Sequence, residues 1–472
     1  MKRLWLIVCM TLPMFAQIEG LSLNQAIKML KKENLELKIA RFEAKMKRLE
    51  AEAVRGMNYG KADVSLTAMR SNDAGNVFGF KLQSREATFG DFGFSDFMGA
   101  IGQGAASAGG EFGAFSQGLA QNGDAILAMA PEDLNYPEAR NHYLTKFSYM
   151  LPLYTGGKLS EYSKISNMLY RMSQLDSKKV LNAKIYETKK VFYDISLVEN
   201  YIQNLRKIIK NINVLEGVVR SMKKEGYAKE IDLLEVEARK AEAESMYNQA
   251  QLNRELAYQF LSFLLNKDVA SIKKVRDVAP MPHVDKRALE ANNLDIQKAK
   301  LGLEITKHAV ALEHARYLPE VGAFAEYGSA DDKLWNEFSQ KDFYTVGVQA
   351  TWNLFNGGVD KKNIEKAKVN YLKVKEQVAL AKRGIALQVK KLRSEILSAD
   401  ADIRSYKKQL RFARKVYQNY KERYREGMVS ITEVLIKQSK ELEMTLKLLT
   451  AKNRRNTKVF ELDSILNRGG SV

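Results

Sequence analysis

The side chains that most often carry out chemistry in proteins are scarce in this sequence. Its 472 residues include a single cysteine, Cys9, and four histidines, which are scattered at positions 142, 283, 308 and 314. Glu304 and His308 are spaced to meet on one helix face, which is more often a surface contact than a ligand set. Phosphate-binding glycine loops, nucleophile elbows, HExxH motifs and dinucleotide fingerprints do not occur. The sequence therefore predicts no enzyme, no cofactor and no metal site.

The composition narrows the class of protein further. The formal net charge is +19, with 45% hydrophobic and 28% charged residues. The chain is too apolar to be disordered and too charged to be a polytopic helical membrane protein. The basic charge is best explained by solvated helix faces, and nucleic acid is not expected as a partner because the chain is predicted to be exported.

Export is predicted from residues 1–16, which have the features of a secretory signal peptide. Lys2 and Arg3 precede an apolar run that ends at Phe15, and Ala16 follows. The alternative is a short N-terminal anchor, although the run is too short to span a bilayer comfortably. Since Cys9 lies inside this segment, the mature chain has no thiol, and neither disulfides nor cysteine chemistry are expected.

The rest of the sequence contains an internal duplication. Landmarks of the first copy recur 201 residues later: Glu225, Gly226 and Asp232 match Glu426, Gly427 and Glu433, and Leu151–Lys158 matches Trp352–Val359. Upstream, Tyr59 matches Tyr317 at an offset of 258, so the first copy carries 57 extra residues. We predict a first repeat over 17–264, a linker over 265–285, a second repeat over 286–466 and a tail over 467–472.

The extra residues fall in a glycine- and phenylalanine-rich insertion at about 72–142. Twelve of the 29 glycines and eight of the 20 phenylalanines lie there. We expect a long irregular surface loop. Because it connects the first two strands predicted below, at their ends away from the predicted long helices, it is expected on the outside of the cell. The sequence does not decide whether this segment folds, plugs the mouth of an assembly or binds something.

Each repeat contains helices with a heptad seam. The apolar positions alternate in steps of four and three at Val191, Ile195, Val198, Ile202, Leu205, Ile209 and Ile212, and at Leu392, Ile396, Ala399, Ile403, Tyr406, Leu410, Ala413, Tyr417, Tyr420 and Tyr424. This period of 3.5 predicts coiled-coil packing. The glycine landmarks are about 66 residues apart, which gives helices roughly 100 Å long. A helix of about 30 residues opens each repeat, from Leu23 and from Lys286. Such helices suggest a tube or a stalk.

Two segments with a period of two precede each long helix. They lie at about 60–71, 143–154, 318–328 and 343–355. Their length, alternation and terminal aromatics predict transmembrane β-strands, and soluble hairpins are the alternative. Four strands cannot close a barrel, and open edges in lipid are costly. The chain must therefore assemble, and a trimer with twelve strands is the smallest assembly that leaves a pore.

With this order of elements, the chain resembles the TolC-like outer membrane efflux proteins. The residues that carry the resemblance are the duplicated order of elements and the motif Leu354-Phe-Asn-Gly-Gly358, echoed as Leu153-Tyr-Thr-Gly-Gly157. It covers nearly the whole mature chain except the insertion. It implies a mainly α fold with a membrane β-barrel portion: a homotrimeric β-barrel in outer membrane lipid, continuous with an α-helical barrel in the periplasm. A periplasmic adaptor and an inner-membrane transporter are the implied partners in a tripartite efflux pump or type I secretion system.

The resemblance also implies roles for individual residues. Gly226, Tyr424 and Gly427 would form the periplasmic tip turns that dock an adaptor, and Asp232 and Glu433 would line a periplasmic constriction. Three such carboxylates at a threefold axis favour cations. Alternatively, both acids stabilise the first turn of a helix through its dipole. A further acid is common in the family one turn later, where this chain has Ile436.

Two further groups are expected at the membrane end. The strand-to-helix turns are assigned to Gly156, Gly157, Gly357 and Gly358, and the membrane-interface aromatics to Tyr154, Trp352 and Phe355. The competing function is a periplasmic coiled-coil scaffold or adaptor without channel activity. The duplicated strand pairs between long helices argue against it.

Overall fold

The computed structural model describes residues 17–467. The predicted signal peptide and positions 468–472 of the predicted tail lie outside the described residues. The described part divides into two compact units. A helical unit comprises the residues up to Glu50, Ile165–His308 and those from Lys368 onward, and a sheet unit comprises Ala51–Lys164 and Ala309–Ala367.

Apart from the insertion, the elements occur in the same order in both halves of the chain. The helices are α1 (Leu23–Glu33), α2 (Leu35–Gly56), α3 (Ala74–Gln83), α4 (Phe94–Ser107), α5 (Phe112–Leu127), α6 (Glu132–Asn135), α7 (Lys158–Lys224), α8 (Glu230–Leu265), α9 (Lys286–Asn292), α10 (Leu294–Ala315), α11 (Val359–Arg425) and α12 (Ile431–Ile465). The strands are β1 (Lys61–Ser71), β2 (Arg140–Thr155), β3 (Glu320–Asp331) and β4 (Asp342–Thr351). In the described part of the chain, no helix is both long enough and apolar enough to cross a membrane.

The helical unit is held together by the predicted heptad seams. α7 and α11 each have 67 residues, about 100 Å of helix. Their seam positions Val191, Ile195, Ile202, Leu205, Ile212, Leu392, Ile396, Ala399, Ile403, Leu410, Ala413, Tyr417 and Tyr424 are buried. Burial of an apolar stripe along the whole helix, rather than local propensity, stabilises helices of this length.

The first helix of each repeat is broken, which the sequence analysis did not predict. Asn34 separates α1 from α2 and Asn293 separates α9 from α10, both with extended backbone. Each amide oxygen accepts from the backbone N–H three residues later, at 2.9 Å for Leu37 and 3.0 Å for Ile296. An asparagine that caps a new helix in this way competes with helix continuation. The expected single helices of about 30 residues are therefore wrong.

The sheet unit contains one antiparallel sheet with strand order β1-β2-β3-β4. Its register aligns the alternating segments, so that Val64 lies opposite Phe147, Phe147 opposite Tyr327, and Tyr327 opposite Tyr344. The apolar positions of all four strands share one face, and the polar positions share the other. The register shifts by one residue at Leu153, between Pro152 and Tyr154. A bulge there accommodates the missing N–H of proline.

β4 is shorter than predicted and ends at Thr351. Trp352 and Phe355 therefore lie beyond the strand, in the segment that leads to α11. The Trp352 Nε1–H donates to the carbonyl of Tyr317 at 2.9 Å, which ties this segment to the end of α10 instead of to a neighbouring strand.

The insertion is not the irregular loop that its glycine content suggested. It folds into α3, α4, α5 and α6. Asp73 caps α3 by accepting from the backbone N–H of Asn76 at 3.0 Å. Glycine costs about 1 kcal/mol relative to alanine inside a helix, which explains why composition predicted a loop. The segment has no proline before Pro131, so nothing in the sequence forbids helices as such.

Candidate functional site

The turns between the long helices have the same backbone in both repeats. Gly226 and Gly427 have φ angles of +80° and +72°. At the first turn the Gly226 N–H donates to the Lys223 carbonyl and the Tyr227 N–H to the Met222 carbonyl. The same two bonds recur 201 residues later, from Gly427 and its successor. This is the Schellman motif, and it requires a left-handed residue where each glycine stands.

The two acids lie in the first turn of the helix that follows. Asp232 accepts a hydrogen bond from the Lys229 backbone N–H at 2.8 Å. Glu433 accepts from the Ser430 backbone N–H at 3.0 Å and from its hydroxyl at 3.2 Å. Glu433 is exposed and Asp232 half-buried. Each carboxylate therefore caps a helix N-terminus and remains accessible at the surface of its hairpin turn.

A shared apolar core joins the two hairpins next to these turns. We call it the tip core; its buried residues are Ile208, Ile212, Leu215, Val219, Leu233, Val236, Ala243, Tyr417, Tyr424, Ile431, Val434 and Leu435. Burial raises the pKa of Tyr424, and the negative charge of Asp232 raises it further. The ring of Tyr424 thus packs between the hairpins, whereas Gly226 and Gly427 lie at their ends.

An acid that was not among the predicted site residues links the two hairpins. The Thr432 hydroxyl donates to the Glu235 carboxylate at 2.8 Å. Glu235 lies one turn after Asp232 and corresponds to Ile436 at the 201-residue offset. Applying that offset backwards would have found this third carboxylate at the tip.

The sheet has one apolar and one polar face. Side chains of the apolar face are largely exposed: Val64, Leu66, Phe147, Tyr327, Tyr344, Val346 and Val348. On the polar face, Lys146 donates to Glu326 at 2.8 Å, next to Asp63, Ser65 and Ser148. A continuous exposed apolar face of this kind marks contact with lipid or another protein.

The predicted strand-to-helix glycines lie in the turns that lead into the long helices. The φ angles are +62° and +86° at Gly156 and Gly157, and +71° and +81° at Gly357 and Gly358. A Cβ at Gly156 would lie 2.7 Å from the carbonyl oxygen of Ala315, so only glycine fits there. The aromatics assigned to the membrane interface, Tyr154, Trp352 and Phe355, are exposed.

At the other end of the sheet, a cluster of charges ties the insertion to the β3–β4 connection. We call it the clamp; it consists of Glu86, Arg140, Asp331, Glu337 and Lys341. Lys341 is buried, and its Nζ lies 2.9 Å from Asp331 and 3.2 Å from Glu337. Glu86 bonds to both Lys341 and Arg140. The carboxylates of Glu86, Asp331 and Asp332 lie close enough together to suggest a cation, and the ammonium of Lys341 supplies that charge.

Comparison with solved structures identifies the fold as that of outer membrane channels. The chain resembles CusC (13% identity, TM-score 0.73), with 94% of this chain and 91% of CusC covered. It also resembles VceC from Vibrio cholerae (13% identity, TM-score 0.70), with 95% of each chain covered. The Campylobacter jejuni channel CmeC has 15% identity and a TM-score of 0.69, with 95% and 86% covered. At these identities the likeness shows a shared fold.

Residues 287–468, the second repeat, match the model of the outer membrane efflux protein family. None of the curated proteins compared with the chain matches it. The family match and the fold confirm the predicted resemblance to TolC-like outer membrane efflux proteins, a family of channels and not of enzymes. They also confirm the mainly α fold with a four-stranded antiparallel sheet, and the outer membrane as the location.

Proposed function

We propose that the protein is the outer membrane exit duct of a tripartite efflux pump or type I secretion system and works as a homotrimer. The observation that carries this proposal is the sheet. One face is apolar and exposed, the other is polar, and β1 and β4 each have a neighbour on one side only. Three copies joined at these edges make a closed twelve-stranded ring with lipid outside and water inside.

The helical hairpins are the surface we assign to the periplasmic partners. The Schellman bonds close each turn, and the tip core joins the two hairpins. An adaptor and an inner-membrane transporter would dock on the turns around Gly226 and Gly427 and deliver substrate into the tube. The substrate itself would be selected by the transporter.

Fractionation followed by conductance measurement tests this function. A channel enters the outer membrane fraction, runs as a heat-sensitive trimer and gives single-channel currents in planar bilayers. Recovery from the soluble periplasm as a monomer without conductance would instead favour the scaffold or adaptor.

We further propose that Asp232 and Glu433 make the periplasmic end cation-selective. Alanine would remove both the charge and the helix cap, so Asp232→Asn with Glu433→Gln is the sharper variant. The amide oxygens still accept from the Lys229 and Ser430 N–H groups, and six charges leave a trimer. We expect a clear loss of cation selectivity, measured by reversal potential in a salt gradient. Glu422→Gln, which removes a tip charge ion-paired with Arg425, is the control. Unchanged selectivity would leave the two acids only their capping role.

A further inference from the structure

The insertion is seated on the polar face of the sheet. The polar face continues along β2 through Lys146, Leu144, His142 and Arg140, which alternate with the apolar positions. The ring of His142 is buried and stacks on Phe80 of α3, with centroids 4.1 Å apart. Arg140 bonds to Glu86. α3 and the turn that follows it therefore cover the side of the sheet that faces the interior of the proposed ring.

The clamp fixes this placement from the β3–β4 connection. Lys341 joins Glu86 of the insertion to Asp331 at the end of β3. The Arg85 guanidinium adds hydrogen bonds to the carbonyls of Gln340 and Asp342. The insertion is thus held to the first residue of β2 and to the β3–β4 connection, at the end of the sheet where β3 ends and β4 begins.

The helical hairpin α4–α5 is left uncovered. Both helices are described in full, and neither has a buried residue. Phe94, Met98, Phe112 and Leu127 are exposed. Within the two helices only Asp96 and Asp124 carry charge. An exposed apolar surface of this kind is costly in water and calls for an occupant.

Six glycines inside these two helices have no explanation within the chain. They are Gly99, Gly102, Gly104, Gly113, Gly118 and Gly123. A Cβ at any of them would meet no atom of residues 17–467 within 4 Å, and none has a positive φ. Each costs about 1 kcal/mol relative to alanine. Close approach of another backbone would account for small residues at these positions.

We propose that the α4–α5 hairpins of three copies pack against one another and cap the outer end of the channel. The proposal rests on the proposed trimeric channel. Threefold assembly repeats the hairpin at one end of the ring, and α3 anchors each copy on the inner face, so the hairpins converge on the exit. A membrane surface is the poorer occupant. The sequence has no Lys or Arg between Arg85 and Arg140, whereas helices that lie on anionic lipid are rich in them.

Cross-linking tests the contact between copies. In a Cys9→Ser background, Met98→Cys, Phe112→Cys and Leu127→Cys each add one thiol on the exposed hairpin. A short bismaleimide should convert most chains of the purified trimer to covalent dimers for at least one of the three. Val346→Cys, on the apolar outer face of β4, is the control and should stay uncross-linked. Trimers in which none of the three hairpin positions cross-links would overturn the proposal.

Conductance tests the cap. Replacing residues 94–127 by a short Gly-Ser linker leaves α3 and the clamp in place and should raise the single-channel conductance at least twofold. Gly102→Leu with Gly118→Leu is a milder variant, because the chain itself leaves room for both side chains; it should also raise conductance and reduce cross-linking. Unchanged conductance in both variants contradicts the cap. A parent protein with neither trimers nor currents refutes the channel instead, so the two failures are distinguishable.

Discussion

The two ends of the repeats have diverged to different degrees. At the helical end, the turns at 225–229 and 426–430 keep the same pair of Schellman bonds and an acid that caps the next helix. At the sheet end, β3 and β4 are joined by residues 332–341, whereas β1 and β2 are joined by 72–139 with four helices. A turn between two packed helices is constrained along its whole length. A connection between strands is constrained only where it leaves and enters the sheet, so it accepts insertions at small entropic cost.

Within the conserved hairpin backbone, the side chains at matching positions have changed. Glu216 bonds to Arg220 one turn later in α7 at 2.8 Å, and to Lys240 of α8 across the first hairpin at 2.9 Å. Its counterpart in the second hairpin, Tyr417, is buried, and its hydroxyl has no partner among the described residues. The duplication therefore preserves the backbone of the two hairpins, while an ion-paired carboxylate in the first is replaced by a buried, uncharged phenol in the second.

The largest effect is expected at the sheet end, from Lys341→Met. Removing the buried ammonium leaves Glu86, Asp331 and Glu337 without it, and breaking a buried ion pair costs about 3–5 kcal/mol. The insertion should detach, and chymotrypsin should cleave within 72–139 about a hundredfold faster. Lys333→Met, an exposed lysine of the same connection, is the control. Equal cleavage rates in both variants would show that the clamp does not hold the insertion.

The next effect compares the helix breaks of the two repeats. The Asn34 amide donates to the Leu264 carbonyl at 2.8 Å, and the Asn293 amide to the Ile465 carbonyl at 3.0 Å. Alanine at either position leaves a carbonyl and a backbone N–H without these bonds, so we expect a loss of about 1–3 kcal/mol. Denaturant midpoints followed by circular dichroism should fall by similar amounts for Asn34→Ala and Asn293→Ala. Very unequal losses would mean that the two asparagines do not contribute equally to the free energy of unfolding.

The second hairpin should weaken in alkali. Burial raises the pKa of Tyr417 to about 12 from its ordinary 10.0. The unfolded chain then loses this proton first, so the stabilisation is complete below pH 10 and declines between pH 10 and 12. From pH 9 to pH 11 the wild type should lose about 1 kcal/mol more than Tyr417→Phe, measured by denaturant unfolding. Identical losses would place this phenol in contact with water.

The smallest of the expected effects is a loss of stability of the first hairpin in acid. Hydrogen bonds from Lys240 and Arg220 lower the pKa of Glu216 below 4.5. Its contribution is present above the unfolded pKa and is lost as the pH falls through the lower folded value. Because the group is near the surface, we expect no more than about 1 kcal/mol. Glu216→Gln should reduce the difference in unfolding midpoint between pH 7 and pH 3, and Glu422→Gln should not.

Much of this fold could be predicted from the sequence because its repeating patterns have direct structural meaning. The 3.5-residue seams located the long helices, and the alternation around Val64 and Val346 located the strands to within a few residues. What could not be predicted depends on single contacts. The break at Asn34 rests on an amide that meets the end of α8, and the clamp rests on Glu86 and Lys341, which are 255 residues apart. The acids at 232 and 433 were found by spacing, but their capping bonds emerge only from geometry.

The placement of β1 and β4 at opposite edges of the sheet has a consequence for partner choice. The groups left at these edges are backbone N–H and C=O, which are alike in every polypeptide. Joining through them would not distinguish an identical subunit from a homologue that has the same register. The side chains of the helices would then have to discriminate against mixed assemblies, because a single mismatched charge or cavity between subunits destabilises the assembly.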